Sequence, residues 1–370
     1  MTTSRATQRL KQWRRISLVL LLLFLALAAA GCSGKAVDTS PAEKPTQIIT
    51  DSIGRQVEVP INPERIACLC PEAGYAIAMY GKAGTIVATS GGMQRDILLV
   101  EMFPHLKGLP VPKSNEVINI EELLSSKAEL VFVKGDTTSN EAEMDKLKKV
   151  NIPVIALQYG NMAEQQYAMQ MIAKILGTEA EGQRYTEFYQ QTVAEVQKRV
   201  TAVPDKDRVT LYHSTAEATR TDTADSLAAD WTRAAGITNV SVGQSLKFSD
   251  GNHYASLEQI LLWNPDYILV NDPNLVGYIM EHEHWRPLQA VKNNRVLPLP
   301  IGISRWGHTS SLETPLAVLW TAKLAYPELF KDWDMVKATQ DFYQEFFDWQ
   351  LDQATVDKML KGTGMRAAKS

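Results

Sequence analysis

Three arginines stand in short polar stretches between apolar runs: Arg95 in SGGMQRD, Arg220 in HSTAEATRTD and Arg305 in GISRWGHTS. A guanidinium presents a planar fork of donors that matches carboxylate, catecholate or oxyanion oxygens, so residues of this kind suit an anionic ligand. Tyr75, Met93 and Lys134 stand in comparable stretches of the first half, and Tyr254 in FSDGNHYAS of the second. Trp306 offers a flat apolar face for a macrocycle or an aromatic chelate. His213, Tyr254 and His308 could reach a metal centre or hydrogen-bond the periphery of a chelate. No metal ligand is assigned on this basis.

Catalytic patterns are missing from the 370 residues. There is no Gly-x-Ser-x-Gly elbow, His-Glu-x-x-His pair, Walker loop or Gly-rich dinucleotide fingerprint, and the six histidines are scattered. The EHEHW stretch at 281–285 has a metal-like composition, but histidines two apart face different ways on a helix, so a solvated surface is expected there. Cys68 and Cys70 are too close for an unstrained disulfide and are expected as small buried hydrophobes. The pattern suits a binding module that leaves its ligand unaltered. An extracytoplasmic metal-dependent enzyme is the competing class.

The elements that must position these residues alternate. ERIACLC, AGTIVATS, ELVFV and IPVIALQ are strands of the first half; RVTLYHS, DYILV and NRVLPLP are strands of the second, with helices between them. Alternating strands and helices imply α/β lobes with mainly parallel central sheets. QIITDSIGRQVEVP reads as a hairpin. Residues 179–203 hold good helix formers with no proline until Pro204, a single long helix between an amino-terminal lobe at 47–178 and a carboxy-terminal lobe at 205–370. IEELLSSKAELVFV at 120–133 and LEQILLWNPDYILV at 257–270 say nearly the same thing, as equivalent helix-strand units would. In the carboxy-terminal helices, Phe342, Phe346 and Trp349 form an aromatic face expected to pack on the second lobe.

The first 31 residues read as a secretion signal. Arg5, Arg9, Lys11, Arg14 and Arg15 precede an apolar stretch at 16–30 that is short for a membrane span. Ala29, Ala30 and Gly31 then precede Cys32 in a pattern that resembles a bacterial lipobox, which makes Cys32 the expected lipidation site and residues 32–46 a flexible tether. Removing the five basic residues would take the formal charge from −4 to −9. That balance speaks against a nucleic-acid partner.

With the lipobox, five stretches in order resemble the substrate-binding lipoproteins of ABC importers of the iron-complex and cobalamin class: ITDSIGRQVEVPINPERIACL, IEELLSSKAELVFV, SLEQILLWNPDYILV, WRPLQAVKNNRVLPLP and SSLETPLAVLWTAKLAYPELF. The likeness spans residues 47 to about 330. It implies two Rossmann-like lobes joined by one rigid helix, with a ligand in the cleft between them, beyond the carboxyl ends of the strands. It also implies a monomer on the outer face of the cytoplasmic membrane or in the periplasm, serving a permease and its ATPase. The expected ligand is a metal chelate, a ferric siderophore first and haem or cobalamin next, with no intrinsic cofactor; molybdate or tungstate is the alternative. Members of this class offer the permease one acid from each lobe, which points to Glu313 in SSLETP and to Glu141, ahead of Glu143, in SNEAEMDKL. Leu312 departs from the proline common at its position.

Overall fold

A computed structural model describes residues 44–114 and 116–367. The secretion signal, Cys32 and most of the tether lie outside the described residues. The chain from Pro45 onward forms one unit. It opens with an antiparallel hairpin, β1 (Thr46–Thr50) and β2 (Gln56–Pro60). Asp51 fixes its turn by accepting from the backbone of Ile53 and Arg55 and from the Arg55 guanidinium. The same carboxylate accepts from Ala156 N, and Arg55 donates to Val154 O, which pins the hairpin to the first sheet.

The first sheet holds β3 (Ile66–Cys68), β4 (Ile86–Ala88), β7 (Leu130–Lys134) and β8 (Val154–Leu157), all parallel and in the order β4-β3-β7-β8. A short ribbon, β5 (Lys113–Ser114) with β6 (Val117–Ile118), lies outside it. The second sheet holds β9 (Thr210–Ser214), β10 (Thr238–Asn239), β13 (Tyr267–Val270) and β14 (Val296–Pro298), in the order β10-β9-β13-β14 and again parallel. A second ribbon pairs β11 (Lys247–Ser249) with β12 (Asn252–Tyr254). Central strands such as Leu130–Lys134 are near-continuous apolar runs because helices cover both faces of a parallel sheet.

The two sheets therefore run in one order, and the repeated stretches occupy one position in each. Helix Ile120–Ser125 precedes β7 and helix Leu257–Trp263 precedes β13, each strand lying third in its sheet. Both helices begin with a side-chain cap. Asn119 Oδ1 accepts from Glu122 N, while Ser256 and Gln259 satisfy each other's backbone in a capping box.

Helix Glu179–Val200 connects the halves. Its 22 residues span about 33 Å at 1.5 Å per residue. Tyr185, Tyr189, Val193, Val196 and Val200 recur every three or four positions and are buried on one face. Polar groups on this face are satisfied across the lobes: Tyr189 donates to Gln165, Gln165 to Ser311 O, and Tyr185 to Leu312 O. One apolar cluster joins Ile66 and Phe132 of the first lobe to Tyr185 of this helix, and onward to Trp231, Trp306 and Phe342. The aromatic face of helix Met335–Phe347 adds to this cluster. Phe342 and Phe346 lie 5.5 and 5.3 Å from Phe188, and Phe346 lies 5.7 Å from Tyr185, so this face closes on the connecting helix. Cys68 and Cys70 are buried and unpaired, and burial, with Glu72 nearby, pushes both thiols up.

Candidate ligand-binding cleft

Parallel strands deliver their carboxyl ends to one edge of a sheet, and the loops beyond that edge carry the polar residues. In the first lobe the loop after β4 carries Met93 and Arg95, and β7 ends on Lys134. In the second lobe β9 carries His213, β13 leads to Asn271 and Asp272, and β14 leads to residues 301–310. Gly307 holds that last loop in place. Its φ of +70° is unfavourable to other residues, and a Cβ there would stand 2.7 Å from the Trp231 ring, whose Nε1 donates to Gly307 O.

Three cavities lie in a row. The largest, about 620 Å³, is lined by Arg95, Asn271, Asp272, Asn274, Arg305 and a carboxy-terminal segment that includes Arg366. The next, about 200 Å³, is lined by His213, Arg220, Asp222, Asn271, His308 and Thr309, together with Asn252 and His253 of the second ribbon. The third, about 270 Å³, is lined by Glu72, Lys134, Asp136, Gln158, Tyr159 and Thr309. Asn271 borders the first two and Thr309 the last two, so the cavities are neighbours.

Positive charge gathers along this row. No carboxylate lies within ion-pair distance of Arg95, Arg220 or Arg305 among the described residues. Burial, and then the nearness of Arg95 and Arg220, holds the Arg305 guanidinium below its ordinary pKa, with Tyr75 and Asp272 opposing. Arg305 donates to His308 Nε2 at 2.9 Å, and His308 Nδ1 lies 2.9 Å from Ser310 Oγ. Burial and the neighbouring cations, Arg305 first, keep His308 neutral. His213 behaves in the opposite way. Burial would lower its pKa, but Asp222 at 2.7 Å and Asn271 at 3.2 Å outweigh that and raise it. The arrangement can offer several directed donors to an anion in a partly desolvated cleft, where a charge-assisted hydrogen bond is stronger than in water.

The structure brings Arg95 and Arg305 to the first cavity, His213, Arg220 and His308 to the second, and Lys134 to the third. Five expectations need correction. Trp306 is fully buried in the shared core and presents no face to a ligand. Tyr75 is buried and donates to Asp96, and Met93 is buried against Gly74, with Thr89 donating to its sulfur. Tyr254 sits beside Arg220 through a backbone bridge and donates to Glu217, but lines none of the three cavities. Glu313 is wholly buried rather than offered to a partner. It accepts from Ile303 N, Ser304 N, Ser304 Oγ and Tyr343 OH. Burial raises its pKa to about 7 against the pull of those donors. Of the two first-lobe acids, Glu141 is exposed, while Glu143 is buried and bonded to Ile118 N and Lys146.

Sequence reasoning missed Arg366, Glu72 and Tyr159. Arg366 lies past the stretch that carries the family likeness, and its only sequence signal is a lone basic residue after two glycines. Glu72 and Tyr159 are visible only once folding leaves Glu72 Oε2 and Tyr159 OH buried without a partner. Buried Asp96, beside Arg95, accepts from Tyr75 and Arg366.

Comparison with known proteins agrees with this architecture. The family model described as periplasmic binding protein matches residues 81–301. The molybdate-binding protein MolA of Haemophilus influenzae is 27% identical over 326 residues, 81% of this chain and 91% of that protein. The iron-uptake system-binding protein of Bacillus subtilis is 22% identical over 317 residues, 81% of this chain and 97% of that one. The solved structure of MolA bound to molybdate superposes with a TM-score of 0.72 at 25% identity, covering 83% of this chain and 99% of that one. Helicobacter pylori CeuE shares the fold with a TM-score of 0.70 at 22% identity, over 85% of this chain and 99% of that one. Among the described residues no helix is long and apolar enough to cross a membrane. The chain belongs to the periplasmic binding protein family, as an extracytoplasmic solute-binding component of the ABC-transporter type.

Proposed function

We propose that the protein captures an anionic metal chelate in the cleft, a ferric siderophore bearing carboxylate or catecholate oxygens, and passes it unaltered to an ABC permease and its ATPase. The observation that carries this reading is that Arg95 and Arg305, from the two lobes, line one cavity of about 620 Å³ with no carboxylate partner for either among the described residues. A partly desolvated cation without a counter-charge bears a cost that an anionic guest removes, more so for Arg305 than for partly exposed Arg95. The volume also lies in the range of about 300–1,000 Å³ typical of small-molecule sites. Haem and cobalamin fit less well, because Trp306, the aromatic group expected to offer a face to a macrocycle, is fully buried in the core.

A second reading, molybdate or tungstate, draws support from the molybdate-binding relative of Haemophilus influenzae and from the smaller cavity of about 200 Å³ around His213, Arg220 and His308. For the assembly, Cys32 is proposed as the lipid anchor of a monomer. Exposed Glu141, at the start of helix Glu141–Lys149, is the proposed first-lobe contact with the permease. The test is native mass spectrometry and calorimetry with ferric citrate, a ferric tris-catecholate, haemin, cobalamin, molybdate and tungstate. Binding of a ferric chelate, recovered intact, is expected. Oxyanion binding alone selects the second reading, and binding of haemin or cobalamin alone, or of nothing, overturns both.

A further inference from the structure

Residues 362–367 leave the last helix of the second lobe, Gln353–Leu360, and cross to the first. At the second-lobe end Ile301 N donates to Met359 O, and Gly362, with φ of +63°, passes so close to β14 that a Cβ would stand 2.5 Å from Leu299 O. At the first-lobe end Ile97 N donates to Met365 O at 3.1 Å and Ala367 N to Arg95 O at 2.8 Å. Between them Arg366 pairs with Asp96 as an antiparallel bridge, and Met365 is buried. The segment is therefore a strap tied to both lobes by backbone hydrogen bonds.

Arg366 lines the same cavity of about 620 Å³ as Arg95 and Arg305, on a segment bonded directly to the loop that carries Arg95. Arg366 Nη1 donates to fully buried Asp96, which also accepts from Tyr75 OH. Among the described residues that is the one side-chain hydrogen bond of Arg366, whose guanidinium has five N–H donors. Asp96 offsets the charge of Arg366 but leaves its remaining directed donors unused. A fork held by a buried carboxylate and a strapped backbone loses little freedom when a second acceptor arrives.

We propose that the strap delivers Arg366 as the third arm of a guanidinium clamp, with Arg95 and Arg305, that selects ligands carrying two or more anionic oxygens. This rests on the function proposed above and names what sets its specificity. The family model ends at residue 301, so two of the three arms lie beyond the stretch it matches.

The test compares the wild-type protein, Arg366→Gln and a chain ended after Lys361 by calorimetry. The probes are ferric citrate, rich in carboxylates, and an uncharged ferric tris-hydroxamate. Arg366→Gln retains a donor for Asp96 and keeps the fold, which thermal melting verifies. Its affinity for ferric citrate is expected to fall about 10-fold or more, the loss of a charge-assisted fork, with less than about a twofold change for the hydroxamate. The shortened chain should show the same selective loss. Unchanged citrate binding by Arg366→Gln, or an equal loss for both probes, overturns the clamp while leaving the proposed function standing. Failure of the wild-type protein to bind either probe removes the function and the clamp together.

Discussion

The first sheet and the second set their strands in the same order, yet the loops beyond them meet solvent differently. In the first lobe Arg95 is partly exposed, and the helix-start acid Glu141 is open to solvent. In the second, Arg305 leans on a neutral histidine within a loop braced by buried Trp231 and Trp306, and Glu313 is enclosed by four donors. The loop 301–310, after β14, is thus part of the core, while the first-lobe loop after β4 that carries Arg95 is tied down by the carboxy-terminal strap. A shared framework fixes where the loops emerge. It does not fix how deeply each is packed, and packing decides which loop can act as a rigid wall.

Five substitutions test that difference. Trp306→Ala should have the largest effect, destabilising the protein by about 3–5 kcal/mol in denaturant unfolding, because it empties a fully buried site in the core that both lobes share. A small loss, with ligand binding selectively impaired, would return Trp306 to the cleft.

Glu313 comes next. Its folded pKa of about 7 lies above the ordinary 4.5, so its contribution to stability is complete below pH 4.5 and is lost as pH rises through 7. Between those values the protein should lose about 3 kcal/mol from this group, and Glu313→Gln should flatten that slope. Glu141→Gln, at the exposed counterpart, should change stability by less than about 1 kcal/mol with no matching pH slope. Equal pH profiles for the two variants would abolish the contrast between the lobes.

The arginines follow. Arg305→Ala should weaken an anionic ligand by about 2–3 kcal/mol, and Arg95→Ala by about 1 kcal/mol, since the more buried donor gains more from pairing. Calorimetry on the two variants gives the ratio directly. A reversed ratio would place recognition mainly on the first lobe.

Much of the framework was legible. Alternating apolar strands and amphipathic helices specify parallel α/β sheets because each pattern has one way to bury its apolar side, and the twin stretches at 120–133 and 257–270 revealed equivalent positions. The loops were located by the same logic, which is why Arg95, Arg220, Arg305, Lys134, His213 and His308 were found beside cavities. Burial within those loops was not legible. Trp306 and Arg305 are adjacent in sequence and differ only in which way the loop turns them, a choice made by Gly307 and the Trp231 ring from 76 positions away. Glu313 looked like a surface acid at a helix start, because nothing local announces that Tyr343 and the backbone of Ile303 and Ser304 will enclose it. Arg366 was invisible because its role depends on a crossing of the chain from one lobe to the other.

The most direct test of the central claim is a crystal structure of the protein with ferric citrate or another bound anionic chelate. The account predicts ligand oxygens within hydrogen-bond distance of both Arg95 and Arg305 in the cavity between the lobes. A chelate seated away from both guanidiniums would contradict it.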